Sequence, residues 1–197
     1  MGIVIGDISI SVDGYVTGPD PGPEQGLGRD GEGIHAWVAS DHPVDRAALD
    51  ATMARTGAVI MGRNLFDIID GPHGWSDEVG YGADLAGRPP FFVVTSREPA
   101  KVRLSLDWTF VLDGVESAVT HAREVAGEKN VIVMGGARVV RSCLDAGLLD
   151  ELWLHVSPEV YGAGTSLFEG VGRHRLTQTT VEVSPTATHL TYAVRTD

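Results

Sequence analysis

Three short segments that combine glycine, hydroxyl and guanidinium groups each follow an apolar run typical of a buried strand. Adjacent glycines before a helix leave backbone N–H groups accessible to an anion, because no Cβ blocks the approach and the helix dipole is favourable. Arginine adds a planar donor that pairs with phosphate. Ligands of open parallel sheets bind at the carboxyl ends of the strands, so the segments together predict a nucleotide-binding site. Its residues are Gly62, Arg63 and Asn64, then Thr95, Ser96 and Arg97, and finally Gly135, Gly136, Ala137 and Arg138.

The strands and helices predicted around these segments decide whether the segments can meet. Residues 3–11 alternate apolar and polar side chains, as a strand with one buried face does. Short apolar runs that alternate with helical patterns predict a mostly parallel, twisted sheet with helices on both faces. Residues 180–195 predict a C-terminal antiparallel hairpin. We expect a single α/β domain over residues 1–197, with buried strands at 58–61, 91–94, 109–112, 131–134 and 152–156 and helices at 41–57, 65–69, 113–126 and 137–146.

Local signals predict where two of these helices begin and which face one of them buries. Asp41 is a candidate N-cap for the first helix, and Asp113 with Glu116 forms a capping-box signature for a later one. The first helix has an apolar face at helical spacing, which we expect to pack on the sheet. That face consists of Val44, Ala48 and Ala51, with Leu49 and Met53 beside it.

Composition excludes several classes of partner. The chain has 15 basic and 27 acidic residues, a net charge of −12, which disfavours nucleic acids and anionic membranes. No stretch reaches the roughly 18 apolar residues that a membrane helix needs, and Asp7 interrupts the apolar N-terminal run, so we expect a cytoplasmic protein. The lone cysteine, Cys143, forms no intrachain disulfide, and its neighbours on the predicted helix favour a buried apolar role.

Two further patterns were tested as functional motifs. The run from Gly26 to Gly31 matches the GxGxxG pattern, but it lies inside a proline- and glycine-rich loop at residues 18–33, whereas dinucleotide binding requires a strand before it and a helix after it. We therefore interpret the match as a coincidence. The seven histidines are scattered without the spacing of metal ligands, so no metal site is predicted.

Motifs along nearly the whole chain resemble one protein superfamily. Their order is similar to that of the dihydrofolate reductase-like superfamily, in particular the reductase domain of riboflavin-biosynthesis deaminase–reductases and its stand-alone relatives. The resemblance implies NADPH bound by the three segments above, with the nicotinamide beside the first strand and next to Val16, Thr17 and Gly18. It also implies a homodimer. The motifs that carry it are residues 11–15, 60–63, 93–97, 133–137, 144–152 and 158–164, together with Leu167 and Phe168.

The same resemblance implies hydride transfer to an electron-poor C=N or C=O carbon of a small heterocyclic substrate that is pterin- or pyrimidine-like. Asp13, in the turn after the first strand, is the candidate catalytic carboxylate that anchors the substrate or relays a proton, and its alternative role is to stabilise the turn before Gly14. His35, Trp37 and Trp75 are candidates for the substrate pocket because aromatic rings stack on planar heterocycles, or they anchor loops. Trp75 belongs to a glycine- and proline-rich loop at residues 71–90.

A second hypothesis is a nucleotide- or flavin-binding module that has lost catalysis and acts as a sensor or carrier. Dihydrofolate reductases themselves carry a carboxylate on the first helix that helps to protonate the pterin. In this chain that helix offers Asp45 and Asp50, and neither stands at the expected spacing from residues 61–63. We therefore do not expect folate to be the substrate. For the homodimer, the apolar residues Leu148, Leu149 and 152–154 are a compatible surface.

Overall fold

Strands and helices alternate along most of the chain in the computed structural model, which describes residues 2–78, 80 and 88–194. The described strands are β1 (Val4–Ser11), β2 (Tyr15–Thr17), β3 (Thr56–Gly62), β4 (Phe91–Val94), β5 (Trp108–Val111), β6 (Asn130–Gly135), β7 (Glu151–Ser157), β8 (Thr165–Ser166), β9 (Leu176–Val183) and β10 (Thr188–Val194). The helices are α1 (Pro43–Arg55), α2 (Arg63–Ile69), α3 (Val115–Ala126) and α4 (Ala137–Asp145), and a 3-10 helix covers Glu32–Ala39.

Eight strands form one sheet in the order β5-β4-β3-β6-β1-β7-β10-β9, and β2 pairs with β8 in a separate two-stranded sheet. The strands from β5 to β7 run parallel, whereas β10 is antiparallel to both β7 and β9. The predicted α/β fold with a C-terminal hairpin is therefore confirmed. The hairpin is longer than predicted at its start, and its last predicted residue, Arg195, lies outside the described residues. The small β2–β8 sheet and the 3-10 helix were not predicted.

Helices cover both faces of the large sheet, as the short apolar strands predict. On one face, α3 and α4 pack on alternate residues of the strands, in a core that includes Ile60 and Val133. On the other face, α2 packs over β3 and β4 through Phe66, and the 3-10 helix and α1 form a separate cluster with Trp37 and Leu49. This second face therefore carries two groups of helices side by side.

The predicted N-caps of α1 and α3 are both wrong. The cap of α1 is His42, whose side chain accepts a hydrogen bond from the Val44 N–H at 3.4 Å. Pro43 occupies the first helical position, so the residue directly before it is the cap. The cap of α3 is Gly114, which has a φ of +93° and makes no side-chain cap hydrogen bond. Since Gly114 turns the chain into the helix, Asp113 lies outside it.

The buried face of α1 also differs from the prediction. Ala51 is exposed, and the buried residues are Asp45, Leu49 and Thr52. Alanine contributes little apolar area, so its spacing is a weak indicator of the packed side. The sheet offers Asp45 and Thr52 hydrogen-bond partners, which allows polar side chains to be buried there.

Most of the apolar residues considered for a dimer surface belong to the chain's own core, whereas Trp153 is half-buried. Leu149, Leu152 and Leu154 are buried against α3 and α4. Cys143 is fully buried, as expected, and burial raises the pKa of its thiol to about 12. Within the described ranges, no helix has both the length and the apolar character needed to cross a membrane.

Candidate active site

The three predicted nucleotide-binding segments lie at the same edge of the sheet. Gly62 at the end of β3 is in register with Val94 at the end of β4, and Met61 is in register with Gly135 at the end of β6. Because these strands are parallel, their carboxyl ends open on one side. Polar side chains at this edge are exposed, which leaves them free to contact a ligand: they are Asn64, Ser96, Arg97 and Arg138.

Glycines shape the floor of this edge. A methyl group on Gly62 would lie 2.9 Å from Cγ2 of Val139, so the turn after β3 packs directly on α4. A methyl group on Gly136 would meet no atom within 4 Å, and α4 begins there without a side-chain cap. The space beside Gly136 is therefore open at the start of α4, and the N-terminus of a helix favours an anionic group.

Arg63 ties two of the strand ends together. Its Nε donates to Asp67 Oδ1 at 2.7 Å, and its Nη1 donates to the carbonyl oxygen of Arg97 at 2.9 Å. The Thr95 hydroxyl donates to the same carbonyl at 2.8 Å. The guanidinium of Arg97 makes no hydrogen bond to any residue that the structure describes. Arg63 is thus partly committed to the protein, whereas Arg97 is available for a phosphate.

The segment predicted to lie beside the nicotinamide is held mainly by neighbouring backbone. Val16 is buried, and the Thr17 hydroxyl accepts a hydrogen bond from the Thr165 N–H at 3.2 Å. A methyl group on Gly18 would come 2.2 Å from the Arg29 carbonyl oxygen, so glycine is required where loop 18–33 returns to β2. These contacts position β2, and a contact with a cofactor remains a prediction.

Asp13 stabilises the turn between β1 and β2. Its carboxylate accepts hydrogen bonds from the Ser11 hydroxyl at 2.6 Å, the Tyr161 N–H at 3.1 Å and the Gly162 N–H at 2.7 Å. The bond from Ser11 lowers the pKa of Asp13 most, and the two N–H groups lower it further, to about 2. A carboxyl group that stays ionised at neutral pH donates no proton, so the geometry favours the turn role over a proton relay.

The structure does not bring His35, Trp37 and Trp75 together. Trp37 is buried, donates from Nε1 to the Ser9 hydroxyl at 2.9 Å and lies 4.1 Å from the His155 ring, centroid to centroid. Trp75 packs edge-on against Phe91, in the other cluster of this face. His35 is exposed on the 3-10 helix. Residues 81–87 of the loop that contains Trp75 lie outside the described part of the chain.

Sequence reasoning missed a buried chain of two carboxylates and two imidazoles beneath Trp37. Asp7 Oδ1 lies 2.9 Å from His155 Nε2, His155 Nδ1 lies 2.6 Å from His189 Nδ1, and His189 Nε2 lies 2.8 Å from Asp45 Oδ1. We call these four residues the Asp–His chain. The histidines sit opposite each other on β7 and β10. Their buried positions in β7 and β10, together with Asp7 and Ser9 in β1, were the available signal.

Two side chains on the second face, near the centre of the sheet, are partly exposed. Asp7 is the one residue of β1 that is not fully buried, and Met134 is the one such residue of β6. Both side chains point to the face that carries α1 and α2, and Gly6 of β1 is in register with Val133 of β6. The next residues along each strand, Asp7 and Met134, are therefore neighbours. We call the partly exposed surface at Asp7 and Met134 the central cleft, and it adjoins Gly135.

Comparison with known proteins identifies the family. A profile of the RibD C-terminal domain matches residues 3–190. The chain belongs to the RibD C-terminal domain family. No curated protein has significant sequence similarity to this RibD C-terminal domain.

Solved structures with the same fold include reductases of riboflavin and folate metabolism. A putative riboflavin biosynthesis protein from Shewanella sp. PV-4 has 20% identity and a TM-score of 0.69, with 98% of this chain and 99% of that chain covered. A dihydrofolate reductase from Enterococcus faecalis, complexed with NADP(H) and RAB-propyl, has 15% identity and a TM-score of 0.61, with 99% and 98% covered. A Thermotoga maritima deaminase/reductase has 17% identity and a TM-score of 0.65, with 98% of this chain but only 57% of that chain covered.

Proposed function

We propose that this RibD C-terminal domain is an NADPH-dependent reductase that acts on a small heterocyclic substrate of pterin or pyrimidine type. The observation that carries the proposal is the meeting of three strand ends, with their exposed polar side chains, around the open space at Gly136. Family membership supports the reductase class, and the complex of the Enterococcus faecalis enzyme supports NADP(H) as the cofactor.

The residues at the edge of the sheet fit such a cofactor. The N–H groups at the start of α4 are suited to the pyrophosphate, because they carry partial positive charge and no side chain covers them. Arg97, with the exposed Ser96, is suited to the 2′-phosphate through charge-assisted hydrogen bonds, and Thr95 holds this turn through its bond to the Arg97 carbonyl. These local donors are needed because a chain of net charge −12 provides no general attraction for an anion.

The central cleft is the proposed substrate position. It lies at Asp7 and Met134, next to Gly135, so a ring bound there is close to a nicotinamide bound against the ends of β1 and β6. When bound, NADPH supplies the hydride, and the protein orients the two rings and excludes water.

The test measures binding and turnover separately. Fluorescence titration of the purified protein with NADPH is expected to give saturable binding. Oxidation of NADPH is then followed in the presence of a panel of pterins, pyrimidines and quinones. Binding together with substrate-dependent oxidation supports the proposal, and an absence of NADPH binding contradicts it.

One observation favours a second candidate, the nucleotide- or flavin-binding module without catalysis. The carboxylate of Asp45 on α1 is fully buried and hydrogen-bonded to His189 and to the Thr186 hydroxyl. It is therefore not available to protonate a substrate directly. Tight binding of NADPH or a flavin without turnover of any compound in the panel would favour this candidate.

We also propose that the domain forms a homodimer. The outer edge of β9 has no partner strand among the described residues, and Val181 and Val183 on it are exposed. An exposed edge of eight residues is a template for pairing with a second copy. Light scattering coupled to gel filtration is expected to give twice the mass of the 20.9 kDa chain, and a monomer at micromolar concentration would contradict the proposal.

A further inference from the structure

The hydrogen bonds of the Asp–His chain require one more proton than two neutral histidines carry. The chain has three links, namely Asp7 to His155, His155 to His189 and His189 to Asp45. Each link needs one hydrogen, whereas a neutral imidazole has one N–H and an ionised carboxylate has none. Two neutral histidines provide two hydrogens, so the Nδ1···Nδ1 contact of 2.6 Å implies a third.

The third proton belongs to the end of the chain that contains Asp7. Burial raises the pKa of Asp45, but hydrogen bonds from the Ser184, Ser40 and Thr186 hydroxyls and from His189 outweigh it, so the pKa lies below its usual value. Asp45 therefore accepts a hydrogen from His189 Nε2. Burial lowers the pKa of His189, although the hydrogen bond to Asp45 opposes this effect. The lowered pKa disfavours a second proton, and hence a positive charge, on His189. The mobile proton is left between His155 Nε2 and Asp7 Oδ1.

Asp7 is the member of the chain that reaches the surface. Its side chain is 13% exposed, whereas those of His155, His189 and Asp45 are 4%, 6% and 0% exposed. Thr52 on α1 donates to Asp7 Oδ2 at 3.0 Å and holds the carboxyl group at the rim of the central cleft. A proton can thus pass from the buried chain to the cleft through Asp7.

We propose that the Asp–His chain is the proton source for the reduction, with Asp7 as the catalytic acid and His155, His189 and Asp45 as positioning residues. The proposal rests on the proposed function. In the step, the substrate carbon of a C=N or C=O bond gains the hydride from NADPH, and the π electron pair moves to the heteroatom. That heteroatom takes the proton of Asp7. The products are the reduced substrate and the oxidised nicotinamide, and the chain regains its proton from solvent through Asp7.

The pH dependence of the step has a definite sign. A proton donor must be protonated, so kcat is expected to fall as the pH rises and the chain loses its third proton. Besides the four members, His35 on the 3-10 helix interacts electrostatically with His155, and Glu182, which is paired with His189 across β9 and β10, interacts electrostatically with His189. Both also influence this titration, so the pH profile is compared between variants rather than read as a single pKa.

The proton count is tested in the free protein, without cofactor or substrate. Nitrogen-15 histidine NMR of the full chain is expected to show a hydrogen in all three links: Nε2–H on His189, a strongly deshielded proton in the Nδ1···Nδ1 bond, and a further proton between His155 Nε2 and Asp7 Oδ1. The Asp7→Asn variant keeps an acceptor for His155 but holds no transferable proton, so its imidazole resonances are expected to shift while those of His121 stay unchanged. The absence of a hydrogen between His155 Nε2 and Asp7 Oδ1 would overturn the proposal.

The kinetic test uses Asp7→Asn with Asp50→Asn as a matched control on the exposed side of α1. Asp7→Asn is expected to lower kcat by about 10²- to 10⁴-fold and to remove the fall at high pH, while the Kd for NADPH and the values for Asp50→Asn stay at wild-type level. Equal kcat in Asp7→Asn and wild type would contradict the role of the Asp–His chain as proton source, whereas the proposed reductase activity would still stand. An inactive wild type in which NMR detects the third proton refutes the proposed function and supports the proton count.

Discussion

A methyl group on Gly62 would lie only 3.9 Å from the backbone nitrogen of Gly136. The turn that follows β3 and the start of α4 are therefore in near contact across the candidate site. Gly62 also packs on Val139, so the open side of this approach is at Gly136, where a phosphate can meet the backbone.

Enlarging Gly136 is expected to block the cofactor without unfolding the protein. The φ of Gly136 is −68°, which any residue adopts, and a Cβ there has no neighbour within 4 Å. Gly136→Val should weaken NADPH binding by about tenfold or more, and Gly136→Ala should weaken it less. Fluorescence titration and thermal unfolding measure the two effects. The control is Gly22→Val in loop 18–33, where an added side chain also meets no neighbouring atom. Equal NADPH affinity in all variants would contradict the assignment of the pyrophosphate to the start of α4.

Arg97 is expected to select NADPH over NADH. Its guanidinium has no hydrogen-bond partner among the described residues, and a hydrogen bond to a charged group contributes about 1.5–3 kcal/mol. Arg97→Ala should thus lower the affinity for NADPH roughly tenfold to a hundredfold and change that for NADH little. Arg63→Ala should also lower the ratio of NADPH affinity to NADH affinity, but this variant loses the hydrogen bonds to Asp67 and to the Arg97 carbonyl as well. Arg55→Ala, at the exposed end of α1, is the control. A wild-type ratio near one would contradict the assignment.

Asp13 is expected to affect stability in a pH-dependent way. Its pKa of about 2 in the folded protein lies below the usual 3.8, so its contribution is present above pH 3.8 and is lost as the pH falls toward 2. Asp13→Asn should lower the midpoint of thermal unfolding at neutral pH, and the difference from wild type should shrink in acid. The exposed Asp41→Asn is the control. A constant difference across this range would show that the charge of Asp13 is not responsible.

Trp37 is expected to contribute to stability rather than to ligand affinity. Trp37→Phe removes the indole N–H that donates a hydrogen bond to the buried Ser9 hydroxyl. Leaving a buried polar group unsatisfied lowers the free energy of unfolding by about 1–3 kcal/mol. Chemical denaturation measures this loss, and NADPH titration should give an unchanged Kd. Trp153→Phe is the matched control, because its indole N–H donates to the partly exposed Glu151 carboxylate, which water can replace. A loss of substrate affinity with full stability would return Trp37 to the substrate pocket.

The sequence alone determined the fold class and the three strand-end segments. Apolar runs such as 58–61 and 131–134 are short and uninterrupted because both faces of their strands are buried, and this pattern predicts a parallel sheet without any knowledge of the partners. Parallel strands bring their carboxyl ends to one edge, so Gly62, Thr95 and Gly136 could be grouped from their positions after the runs. The sequence near each strand was sufficient to group the three segments, because each segment lies at the end of its own strand.

The tertiary structure alone decided which polar groups are buried together. Asp7, Asp45, His155 and His189 come from four different elements, and 182 residues separate the first from the last. No local pattern indicates that β10 lies next to β7, or that α1 covers the same strands, because strand order depends on packing over the whole chain. The same reason applies to Asp13, whose carboxylate binds N–H groups 148 and 149 residues away, and to Trp37, which the 3-10 helix places on His155.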